Sequence, residues 1–232
     1  MRFTGVSIIN AIKLFKRLVL AVLLLQASAV PVAAEENELC EPFLDGKVDA
    51  TLLSTMLSAA ENGHLYRIDQ DSSRVSFCVD SQLSRIEGSF RNFKGGLALD
   101  SGTTSDGQAM VVIRTDSVYT DTAFIRQLLK GDSFFDADNN PEILFVSTGF
   151  EWTSATTAML TGDITVRGVT RSVVFDVTLT EKSQANTGEE KRIVVKATTT
   201  LNRSDFGMTS LNSLVSDNVR LCLSVEATRY QS

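Results

Sequence analysis

A chain of 232 residues with 43% hydrophobic and 22% charged side chains suits one globular domain of ordinary size with a modest extension. Its formal charge of −6 disfavours nucleic acid and anionic membrane surfaces as partners, since like charge repels. The three cysteines, Cys40, Cys78 and Cys222, match no zinc-binding spacing.

Residues 1–17 carry Arg2, Lys13, Lys16 and Arg17 and no acid. An apolar run from Leu18 to Val30 comes next, then Pro31 and the small-residue ending Val32-Ala33-Ala34. This order predicts a secretory signal cleaved near Ala34, and therefore a periplasmic or secreted protein. The run is 13 residues long, short of the roughly 20 that cross a bilayer. Cleavage removes four basic residues and takes the formal charge from −6 to −10. The chain has no further long apolar segment, so no transmembrane segment is expected in the mature form.

Residues 35–65 are read as a helical N-terminal extension. Leu52, Leu53, Met56, Leu57 and Ala60 recur at helical spacing before Gly63, and the helix is expected to pack against the strand-rich domain. From Tyr66 onward, residues 66–232, the pattern becomes strict alternation, as in strands with one buried face. Val75, Phe77 and Val79 share one parity; Ile86, Gly88 and Phe90 form a second set; Phe93, Gly95, Leu97 and Leu99 form a third. The parity switch between Phe90 and Phe93 implies a bulge or bend. Further sets run through Ile113, Phe145, Ile164, Phe175, Ala197 and Leu223. About eight strands with turns between them predict an all-β antiparallel barrel or sandwich. Arg167–Arg171 reads as the tight turn of a hairpin. One helix interrupts the strands: Thr120-Asp121 is expected to cap a segment carrying Phe124, Ile125, Leu128 and Leu129, placed to close one end of a barrel.

Cys78 and Cys222 oppose their strands' apolar residues in parity, so both are expected to face outward. First and last strands become neighbours in a closed barrel. A Cys78–Cys222 disulfide is the preferred pairing if the register sets them opposite one another; Cys40 is the alternative partner for either.

Several segments in fixed order carry a family resemblance: Tyr66-Arg67-Ile68-Asp69, Ser76-Phe77, Ile86-Glu87-Gly88-Ser89-Phe90, Ser117-Val118-Tyr119-Thr120, Phe134-Phe135-Asp136, the stretch from Pro141 to Thr148, the stretch from Leu160 to Arg171, and Asn202-Arg203-Ser204-Asp205-Phe206-Gly207-Met208. In this combination the chain resembles the YceI-like family of lipid- and polyisoprenoid-binding proteins. The resemblance implies an eight-stranded, lipocalin-like barrel with a long apolar tunnel and a short lid helix. It also implies a bound long-chain lipid, such as a quinone tail or a prenyl phosphate. The family often has an Arg-Asp pair and a histidine in the helix before Phe-Phe-Asp, where this chain has Ile125, Arg126 and Leu128.

Thirteen phenylalanines against one tryptophan and three tyrosines supply apolar area without hydrogen-bonding needs. The expected tunnel lining is Phe77, Phe90, Val111, Ile113, Phe145, Ile164, Phe175 and Leu223 from strands, with Phe124, Leu128, Phe134 and Phe135 at the lid. Parity alone equally allows a filled core, and with it a structural or interaction module acting through its outer surface and N-terminal helix. Arg126, Arg167 and Arg171 are the candidate polar groups at the tunnel mouth. No catalytic residue, metal or cofactor is assigned. The single histidine, His64, precedes the first strand, and Asp132, Asp136 and Asp138 read as a polar loop. A long-chain lipid is the expected ligand, and a homodimer is compatible with this reading.

Overall fold

The computed structural model describes residues 50–62, 64–99, 107–182 and 192–230. The expected signal segment and Cys40 lie outside them. Alternating apolar residues form ten strands and two helices among the described residues. In chain order these are α1 (Ala50–Glu61), β1 (Leu65–Ser81), β2 (Arg85–Phe90), β3 (Phe93–Ala98), β4 (Gln108–Arg114), β5 (Val118–Tyr119), α2 (Ala123–Lys130), β6 (Glu142–Trp152), β7 (Thr157–Val166), β8 (Val169–Lys182), β9 (Arg192–Asn202) and β10 (Val215–Arg229).

Neighbouring strands pair antiparallel, and β10 pairs with β1 to close the sheet on itself. The long β1 pairs with β2 through its second half and with β3 through its first. Thus β2 and β3 act as one bent strand, broken at the residues where the parity switches. The two-residue β5 adds to the outer side of β2. The result is an eight-stranded antiparallel barrel, closed by the pairing of its first and last strands. A two-residue turn joins β7 to β8, with positive φ at both Arg167 (52°) and Gly168 (71°). That geometry matches the twist of the flanking strands.

Alternation sorts the two faces. On β8, Val173, Phe175 and Val177 are buried, whereas Val174, Asp176 and Thr178 are exposed. Helix α1 covers part of the outer face. Its Met56 packs with Ala98 and Met110, flanked by Leu144 and Val146, residues that point away from the lumen.

Two expectations are corrected. The lid helix begins at Ala123, with Thr122 rather than Thr120 at its cap position and no side-chain cap bond; the Thr120 hydroxyl instead donates to the Thr122 carbonyl at 3.0 Å. The cysteines lie on paired strands, as expected, but both thiols are free. Cys78 faces Arg220 and Cys222 faces Ser76, an offset of two residues. Such diagonal neighbours stand about 7–8 Å apart, beyond the Cα spacing a disulfide usually spans, up to about 6.8 Å. Cys78 does not border the lumen and so faces outward as expected, but it is buried there, and the Arg85 guanidinium donates to its sulfur at 2.6 Å.

Candidate functional site: an apolar lumen with one rimmed mouth

Strands β1, β4, β7 and β9 run in one direction, so their C-terminal connections leave at the same end of the barrel. These are the β1–β2 hairpin, the α2 region, the β7–β8 turn and the long connection from β9 to β10. Beneath them lies a cavity of about 410 Å³, within the range of small-molecule sites. The barrel interior is hollow rather than filled.

All twelve residues expected in the lining border this cavity. Phe77 and Phe90 come from β1 and β2, Val111 and Ile113 from β4, and Phe145, Ile164, Phe175 and Leu223 from β6, β7, β8 and β10. Phe124 and Leu128 come from α2, and Phe134 and Phe135 from the turn after it. The rings are locked in groups. Phe77, Phe90 and Phe135 have centroids 5.5–6.4 Å apart, and Phe145 meets Phe175 edge-on at 5.4 Å. Both β1 and β6 lay a ring against a neighbouring strand at a glycine. A Cβ on Gly88 or Gly162 would come closer than 3.0 Å to the ring of Phe77 or Phe145 respectively. The absent side chains let these rings lie along the wall instead of meeting in the middle, which keeps the lumen open.

Helix α2 turns Phe124, Ile125, Leu128 and Leu129 to the cavity, while none of its residues is fully buried. It rests on the mouth, anchored by Leu129, which packs against the core.

The arginines expected at the mouth do not line the cavity. Arg126 lies on the other face of α2, where its guanidinium stands 4.7 Å from the Tyr119 ring centroid and donates to the Thr120 carbonyl. Arg167 occupies the β7–β8 turn. Arg171 is exposed and donates to the Thr170 carbonyl. The charged side chain that does border the lumen is Arg203, only 4% exposed. Its five N–H donors all have partners: the carbonyls of Met208, Ser210, Val215 and Ser216 and the side-chain oxygen of Asn212. It pins the β9–β10 connection and has no donor left for a ligand. In the sequence Arg203 stands out only as part of a motif, because carbonyl ligation has no residue-spacing signal. Leu83, Leu211 and Leu214, also in the lining, lie in loops where alternation carries no information.

The site can therefore bury an extended apolar group, with the polar side chains of its lining limited to Ser76 on β1, Ser81, Gln82 and Ser84 at the hairpin, and the fully bonded Arg203. Fold and site together define a closed antiparallel barrel around an open apolar lumen. The YceI-like domain model matches residues 66–227, and the chain belongs to the YceI-like family. A UPF0312 protein of Pseudomonas putida (strain GB-1) is 32% identical over 169 residues, covering 71% of this chain and 86% of the relative. Among solved structures, BcnA of Burkholderia cenocepacia aligns with a TM-score of 0.62 at 24% identity, over 69% of this chain and 99% of that one. A polyisoprenoid binding domain from Saccharophagus degradans aligns with a TM-score of 0.50 at 17% identity, over 71% and 98%. At these identities the structural likeness is one of fold.

Proposed function

We propose that the protein binds one long apolar lipid of polyisoprenoid type, a quinone or a prenyl phosphate, in the barrel lumen, and carries, stores or sequesters it without chemical change. The observation that carries this reading is the 410 Å³ cavity walled by phenylalanines and aliphatic side chains under an apolar lid helix. Family membership and the polyisoprenoid-binding fold relative support it. Burying a methylene contributes about 0.8 kcal/mol, so a few isoprene units supply the driving force without a charged contact. Selectivity then comes from lumen length and shape. The signal-like pattern of residues 1–34 supports action in the periplasm or outside the cell. Mass spectrometry of the exported protein should find a mature N-terminus near Glu35.

Organic extraction of protein purified from its native host should yield a long-chain lipid by mass spectrometry. Added quinone should saturate delipidated protein at one equivalent, read by quenching of its single tryptophan, Trp152. A clean extract together with no saturable quenching overturns the reading.

A further inference from the structure

The lumen's mouth is ringed by side chains that folding leaves in water. Leu83 at the tip of the β1–β2 hairpin is 97% exposed, Phe124 on α2 is 75%, and Leu214 and Leu211 in the β9–β10 connection are 49% and 43%. All four also border the cavity, so the exposed apolar surface runs without a break into the lumen. The hairpin and the connection, which carry Leu83, Leu211 and Leu214, sit on one platform. The Gln82 backbone N–H donates to the Leu214 carbonyl at 2.9 Å and its side-chain amide to the Ser213 carbonyl at 2.7 Å, tying hairpin to connection. Arg203 holds the connection from beneath.

The rim's composition is as telling as its exposure. In a chain with 22% charged residues, neither Ser81–Ser84 (SQLS) nor Met208–Ser216 (MTSLNSLVS) contains an ionisable side chain. Leucine tips among serine, threonine and asparagine suit the boundary between lipid headgroups and acyl chains, where an ionised group is costly. A partner recognised through ion pairs would find nothing to pair with on these two loops.

We infer that this rim is a lipid-surface docking site: the mouth seats on a zwitterionic bilayer, Leu83, Phe124, Leu211 and Leu214 enter the headgroup boundary, and an apolar chain passes between membrane and lumen without crossing water. The choice of a lipid surface as partner rests on the lipid-binding reading above. The protein's overall acidity makes zwitterionic lipid the partner, with anionic lipid disfavoured.

The test is flotation of the full-length mature protein with phosphatidylcholine vesicles, comparing wild type with the double variant Leu83→Asp/Leu214→Asp. Met159→Asp is the control, because Met159 is also exposed (41%) but lies on the outer wall of β7 away from the lining. Wild type and Met159→Asp should float alike, and the rim variant should lose about five-fold or more of the floating fraction. The inference is overturned if wild type stays with the soluble fraction, or if the rim variant floats as well as wild type. It is equally overturned if wild type is a dimer in solution that the rim variant dissociates, which would make the rim a contact between two copies. Quinone titration in vesicle-free solution separates the two readings. Loss of flotation by the rim variant, with Met159→Asp floating as wild type does, supports docking whatever the variant's quinone affinity, because Leu83 and Leu214 also border the lumen. Wild type that floats yet never binds quinone sinks the carrier proposal and leaves docking standing.

Discussion

Phe145 shows how a single side chain reports on the lumen. In a filled core, Phe→Ala costs about 3–5 kcal/mol, because lost transfer energy and a new cavity add together. Here the ring lies along a wall beside space that already exists, so Phe145→Ala should cost less than about 3 kcal/mol in urea unfolding while weakening quinone quenching of Trp152. A full core-type loss with unchanged quenching would contradict that placement. Arg203 gives the opposite case. Arg203→Met removes five hydrogen bonds and strands the buried Met208 carbonyl and three part-buried ones, those of Ser210, Val215 and Ser216. It should destabilise by roughly 3 kcal/mol or more, since unmet buried acceptors cost about 1–3 kcal/mol each. A melting curve like wild type would sink this account. The phenylalanines are legible from parity because a barrel wall has period two. Arg203 is not, since its partners are main-chain oxygens. The three arginines expected at the mouth do not border the cavity; sequence order alone does not contain the phase of α2, which turns Arg126 toward Tyr119.

The elements repeat this division between local and non-local information. Strand alternation, the break between β2 and β3 and the β7–β8 turn all depend on residues within a few positions and are readable from the chain. The register of β1 on β10 is not. The stretch from Asp69 to Arg74 spans five steps on β1 against two on β10, from Glu226 to Ser224. That irregularity decides which residues face Cys78 and Cys222. The β9–β10 connection carries a testable electrostatic feature. The Asp217 carboxylate accepts from the Ser204 N–H at 2.9 Å and hydroxyl at 2.6 Å, which holds its pKa below the usual carboxylate value. A depressed carboxyl pKa stabilises the fold above the unfolded value of about 3.9, and that contribution disappears as pH falls through the lower folded value. The Tm difference between wild type and Asp217→Asn should therefore hold steady from pH 7 to about 5 and shrink below about 4. A difference that grows on acidification would contradict the assignment.

At the scale of the whole molecule, closure of the sheet separates two surfaces with different chemistry. The outer wall carries exposed charged side chains and α1, whereas the lumen is lined mainly by apolar side chains, with Arg203 the one charged group among the described residues of its lining. A finite lumen also sets a limit that a flat hydrophobic patch does not. Each added isoprene unit gains burial only while it still fits inside 410 Å³. Affinity for a series of prenyl alcohols of rising length should therefore climb steeply, at up to about 0.8 kcal/mol per methylene-sized group, and then level off once the chain projects past Leu83 and Phe124 into water. Thermal stability should track the same curve, because a ligand bound only by the folded state raises stability with its occupancy, by about 2.7 kcal/mol at a hundredfold excess over Kd. Titration and melting across the series check both halves. A plateau shared by the two measurements locates the end of the lumen, while affinity that rises without limit would place the ligand on an open surface outside the barrel.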